Sequence, residues 1–110
     1  MPHTFQRLDS VIFRVKQTEE FTLWLEKLPL KTRFLVTGRV QRIAECGHFG
    51  DFKIFEGLLE LRWKSGLRVY SSLRSGSLYL LLHGGNKNGQ ERDIRKAKKI
   101  LEREVRLERL

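Results

Sequence analysis

Arg62, Lys64, Arg68, Tyr70, Tyr79 and His83 recur at alternate positions in three apolar runs, a spacing that collects them on one face of a β-sheet. Leu59, Leu61 and Trp63, then Leu67, Val69 and Leu73, then Leu78, Leu80 and Leu82 would form the opposite, apolar face. Lys53, Arg74 and Lys87 would rim the polar side. Arginine forks and lysines bind phosphate, and tyrosine rings stack on unpaired bases, so such a face suits single-stranded RNA. The same residue types could cut it. Cleaving an RNA backbone needs a base for the 2′-hydroxyl, cations for the crowded phosphate and an acid for the departing 5′-oxygen.

These requirements divide the candidates. Arg62, Arg68 and Lys87 are expected to stabilise phosphate charge, with Tyr70 or His83 moving protons. Lys53, Lys64, Arg74 and Tyr79 are expected to contact RNA without reacting. Arginine stays protonated and cannot be the base. Tyrosine has an ordinary pKa of about 10, which would have to fall to about 7 for it to act near neutrality, a change that surrounding cations would favour. Histidine already titrates close to neutrality.

Other chemistries fit poorly. His3, His48 and His83 lack ligand spacing, so no metal is expected. The lone Cys46 excludes an internal disulfide and a four-cysteine zinc site. Gly84-Gly85-Asn86-Lys87 lacks the spacing and hydroxyl of a phosphate loop and is expected to turn the chain into a last helix. No nucleotide or other cofactor is expected.

The elements that must position the candidates follow from periodicity. Val11 to Val15 predicts a first strand. Thr18 offers a helix N-cap, with Glu19 and Glu20 in the first turn and Phe21, Trp24, Leu25 and Leu28 as one apolar stripe. A second helix is expected over 31–45, with Val36, Val40 and Ile43 inward, Arg39 and Arg42 elsewhere, and Gly47 as its stop. Period-two runs at 52–55, 58–64, 67–73 and 77–83 predict strands joined by glycine-bearing hairpins. The segment 90–107 predicts a helix with Ile94, Ala97, Leu101 and Val105 inward. The expectation is one α+β domain over 1–110, its helices against one face of an antiparallel sheet.

Composition agrees with a polyanionic partner. The chain has 110 residues and a net charge of +9, with a pI of about 10.2. Residues 31–75 hold nine basic against four acidic residues, and 91–110 hold eight against five, while 1–30 are balanced. No apolar run approaches the length of a membrane span, and none follows Met1 as a secretion signal would, so a cytoplasmic protein is expected.

The order of motifs resembles the RelE/ParE superfamily of bacterial toxins, and within it the addiction-module killer, HigB-like branch. The matching pieces are Thr18-Glu19-Glu20-Phe21 with Trp24-Leu25, Arg39 and Arg42, and Gly50-Asp51-Phe52-Lys53. Gly57-Leu58-Leu59-Glu60-Leu61-Arg62, Arg68-Val69-Tyr70 and Leu80-Leu81-Leu82-His83-Gly84-Gly85-Asn86-Lys87 continue the series, which Gln90, Asp93-Ile94 and Ala97 close. The resemblance implies a RelE-like fold: an N-terminal strand and two helices packed on an antiparallel sheet, then a C-terminal helix. It implies the toxin of a type II toxin–antitoxin module, an mRNA interferase that cuts message in the ribosomal A site without a metal and so inhibits translation. Alternatives on the same fold are a ParE-like inhibitor of DNA gyrase and a decayed toxin that only binds its antitoxin. Implied partners are a cognate antitoxin with an acidic segment and a DNA-binding domain, the ribosome and mRNA. Operator DNA would be reached only through the antitoxin complex, and no membrane is implied. Arg68 matches the arginine of the family's Arg-x-x-Tyr-like strand and Lys87 its lysine after Gly-Gly, while Ser71 stands where another tyrosine is common.

Overall fold

The structure is a computed structural model that describes residues 11–107; His3 and both ends of the expected 1–110 domain lie outside them. Strand β1 (Arg14–Gln17) leads into α1 (Glu19–Glu26) and α2 (Leu30–Cys46). Strands β2 (Phe52–Phe55), β3 (Leu58–Arg62), β4 (Leu67–Arg74) and β5 (Leu78–Asn86) follow, and α3 (Gln90–Arg106) ends the series. The sheet order is β1-β5-β4-β3-β2. β2 to β5 form an antiparallel meander, and β1 adds to β5 in parallel.

Local chemistry fixes the joints. Thr18 caps α1 by accepting from the Phe21 N–H at 3.1 Å. Gly47, at φ 74°, ends α2 in the left-handed conformation. The first strand starts at Arg14, three residues later than expected, because Ile12 and Phe13 donate instead to the Ala44 carbonyl of α2. Gly84 and Gly85 are not a turn: β5 continues through them, and the chain turns over Lys87–Gly89.

Both faces of the sheet are covered, which corrects the expectation of one open face. Against α1 and α2 pack Leu59, Leu61, Val69, Tyr79 and Leu81, with Phe21, Leu25, Val36 and Ile43 from the helices. Against α3 pack Leu58, Tyr70, Leu80 and Leu82, with Ala97 and Ile100 from the helix. The inward line of α3 is therefore Asp93, Ala97, Ile100 and Glu104; Ile94 and Leu101 flank it and Val105 is exposed. Leu78 to Leu82 is apolar at every position but Tyr79 because both of its faces are buried, as in sheets clad on two sides.

Candidate active site

Register aligns the candidates in two rows on the α3 face. Lys53 of β2 pairs with Glu60 of β3, Glu60 with Tyr70 of β4, and Tyr70 with His83 of β5. At about 4.8 Å per strand the four span about 14 Å. The next row holds Arg62, its partner Arg68, and Gly85.

His83 joins this face through a bulge. Tyr70 pairs with His83 and Ser71 with Leu81, so Leu82 is an extra residue in β5. Simple alternation would turn His83 toward α1 and α2 with Tyr79 and Leu81; the bulge returns it to α3. The Leu82 carbonyl accepts the Thr18 hydroxyl at 2.8 Å, so the α1 cap also secures the bulge. The expected grouping of Tyr79 with the polar face is corrected: its ring is wholly buried among Phe13, Phe49 and the α1/α2 core. Its hydroxyl accepts from Ser71 at 2.9 Å, so it is a core residue rather than an RNA contact.

The first turn of α3 lies over the rows. Gln90 Nε2 donates to Glu60 Oε2 at 2.6 Å, and Asp93 Oδ1 lies 3.5 Å from His83 Nε2. Gly85 makes this closeness possible, and Gly84 makes the matching approach of α1 possible on the other face. A Cβ on Gly84 would enter the Trp24 ring on one face, and a Cβ on Gly85 would enter the Asp93 carboxylate on the other. Those requirements, not phosphate binding, explain the Gly-Gly pair.

The candidates differ in access. Arg62 is half-exposed; its Nε faces Glu60 Oε1 at 3.4 Å, and among the described residues its Nη atoms have no partner. Arg68 is buried, and its Nη1 donates to the Trp63 and Leu67 carbonyls, holding the β3–β4 turn. Lys87 is exposed, and its methylenes cover Gly66 of that turn. Lys53 is exposed at the β2 edge, 5.7 Å above the Phe55 ring, and Lys64 is exposed in the β3–β4 turn. Arg74 lies at the far end of β4, six residues from Arg68 and hence about 20 Å away, so it is separated from the rows.

Electrostatics separates the two proton carriers. Burial, then the Glu60 charge, pushes the Tyr70 phenol up from its ordinary value. That is opposite to the expected effect of surrounding cations, and it keeps Tyr70 a neutral donor. His83 is pushed below its ordinary value, chiefly by burial and then by Lys96, with Asp93 opposing. Its imidazole is neutral near pH 7, and Nδ1 is buried without a partner among the described residues.

Glu60 and Asp93 are the site residues to which their types and spacing in the sequence assign no role. The signal for Glu60 is a carboxylate at a position whose strand neighbours Leu58 and Tyr70 are core. Arg39, expected away from the core, is buried and donates to the carbonyls of Phe49, Asp51 and Arg62 while lying 4.3 Å from the Trp63 ring. It is a structural clamp. Among the described residues no group of three His, Cys, Asp or Glu side chains is arranged to hold a metal ion.

Comparison with solved structures places this architecture. A free-state mutant of the E. coli toxin RelE superposes with a TM-score of 0.66 at 15% identity, covering 81% of this chain and 96% of that one. The fold is that of the RelE toxins. The E. coli RelBE toxin–antitoxin complex (TM-score 0.56, 12% identity, 67% of this chain, 95% of that one) agrees. So does the RelBE2 toxin–antitoxin complex of Mycobacterium tuberculosis (0.52, 19%, 69% and 99%). No family model matches the chain. An uncharacterized protein of Haemophilus influenzae is 39% identical over 89 residues, spanning 77% of this chain and 89% of that protein. This RelE-like chain belongs to the same family as that relative. Among the described residues no helix is long and apolar enough to cross a membrane.

Proposed function

We propose that this chain is the toxin of a type II toxin–antitoxin module and that it cuts mRNA in the ribosomal A site. The observation that carries this reading is the gathering of Arg62, Arg68, Tyr70 and His83 in two adjacent rows, with Lys87 beside the turn that Arg68 holds. Neutral His83 takes the 2′-hydroxyl proton, and the 2′-oxygen forms a bond to phosphorus. Arg62 and Lys87 hold the added negative charge. The bond to the 5′-oxygen breaks as that oxygen is protonated, with Tyr70 as the donor, leaving a cyclic phosphate and a 5′-hydroxyl. Cations and proton carriers of the chain supply every role in this scheme.

Tyr70 and His83 lie beneath α3, so RNA meets Arg62 and Lys87 first and reaches the proton carriers only when the first turn of α3 moves. The partners follow: a cognate antitoxin whose acidic segment answers the +9 charge, the ribosome and its message, and operator DNA through the antitoxin complex, all in the cytoplasm. Burial of Arg68 and Tyr70 favours a second reading, a toxin fold that binds its antitoxin without cutting. Purified ribosomes translating a defined message, followed by primer extension, separate the two. Cuts confined to translated message support cleavage. Silence from folded protein contradicts it, and loss of gyrase supercoiling activity would then assign the ParE-like role.

A further inference from the structure

Glu60 is a carboxylate with no exposed surface in a site read as binding phosphate anions. Burying such a group costs several kcal/mol unless it is paired. The fold does not require it there: two residues earlier on the same face, Leu58 fills the space beneath α3 in a cluster with Leu80, Leu82, Ala97 and Ile100. Everything around Glu60 belongs to the site. Oε2 accepts from Gln90 at the start of α3, Oε1 lies 3.4 Å from Arg62 Nε as an ion pair without a hydrogen bond, and the hydroxyl of the cross-strand neighbour Tyr70 is buried without a hydrogen-bond partner among the described residues. Lys53 is its neighbour on the outer strand.

We infer that Glu60 is the positioning residue of the site, a carboxylate that holds Arg62 through Nε and thereby turns the two-nitrogen edge of the guanidinium outward. That edge is the one that grips a phosphate bidentately. The charge of the same carboxylate adds to burial in keeping Tyr70 protonated, and its hydrogen bond from Gln90 ties the start of α3 to the sheet. It touches no substrate and acts through its neighbours. What Arg62 then does to RNA rests on the proposed function; the geometry of the pair does not.

The test is Glu60→Gln in the full chain, which keeps shape and the Gln90 contact but removes the charge. In proton–nitrogen NMR spectra the Arg62 Nε–H is expected to exchange with solvent about tenfold faster in the variant, because the carboxylate charge paired with it is gone. One of the two tyrosines should also titrate at lower pH than in the parent. A folded variant with unchanged exchange and unchanged tyrosine titration overturns the inference. Should Glu60→Gln not fold, Glu60→Asp, whose carboxylate is one methylene too short to hold both partners, is expected to show the same change in exchange, and no change there overturns it. In the translation assay, Glu60→Gln should cut about tenfold less, and its effect should be smaller in an Arg62→Ala background than in the parent, since part of it acts through Arg62. Multiplying effects in the double variant contradict the inference. An inactive parent defeats the cleavage reading alone and leaves the NMR comparison to decide on Glu60.

Discussion

The sheet is covered twice, and the two covers differ in kind. Against α1 and α2 it presents leucines, valine and Tyr79, packed on Phe21, Leu25, Val36 and Ile43. Against α3 it is apolar only around Leu58, Leu80, Leu82, Ala97 and Ile100; toward the start of that helix the contact becomes Glu60 with Gln90 and His83 with Asp93. The first cover is held by area removed from water, and the second in part by polar pairs whose worth is small and whose failure to pair is costly.

Among the described residues Arg39 is the buried charge of the first cover, so removing it should break that side most. Arg39→Met takes the guanidinium donor from the Phe49, Asp51 and Arg62 carbonyls, of which Asp51 keeps the Arg62 N–H, and is expected to cost about 3 kcal/mol in chemical denaturation. The glycine pair sets the covers directly against each other. Gly84→Ala drives a methyl into the Trp24 ring, and about 1–3 kcal/mol of overpacking should appear as a lower melting temperature. Gly85→Ala meets the Asp93 carboxylate instead and should cost less stability while shifting the His83 resonances.

Thr18 joins the covers, since its hydroxyl caps α1 and donates to Leu82 in the bulge that aims His83. Thr18→Ala should cost about 1–2 kcal/mol and move the His83 titration, whereas a simple cap would leave that titration in place.

Two titrations distinguish the covers further. The folded chain holds His83 below 6.5, so between that lowered value and 6.5 the unfolded chain binds more protons. Stability should therefore fall as pH drops below about 6.5 and stay level above it, and His83→Gln should remove that slope. Burial lowers the imidazole pKa most, the Lys96 charge adds to that, and the Asp93 and Glu20 charges oppose it. Glu20 gives the smallest effect. Its hydrogen bond to Arg103 of α3 holds it at about 2, so its contribution is full above 4.5 and is lost as pH falls toward 2. The pair is partly exposed at the surface and screened there, and Glu20→Gln should cost about 1 kcal/mol near neutrality.

Most elements are legible in the sequence because their signals are local: the Thr18 cap, the Gly47 stop, the period-two runs of β2 to β4 and the apolar run of β5. The faces are not, for two physical reasons. Leu78 to Leu82 has no clean alternation to read, because both sides of β5 are clad, and grouping its leucines with Leu59 and Leu61 puts Tyr79 on the wrong side. The same faulty parity places His83 on the correct face, since a bulge that alternation cannot foresee reverses the error. Arg39 and Glu60 escape notice as buried charges because their partners are carbonyls and side chains distant in sequence. Arg62, Arg68, Tyr70 and His83 stand out because they are near one another in sequence and match a family pattern.

The difference between the two faces is tested most directly by primer extension on message translated by purified ribosomes, with the parent, Arg62→Ala and Tyr79→Phe at equal folded concentration. Cuts are expected from the parent and Tyr79→Phe, with a loss of about a hundredfold or more in Arg62→Ala. A folded Arg62→Ala protein that cuts like the parent, or an equal loss in Tyr79→Phe, would contradict the assignment of the reactive face to the α3 side.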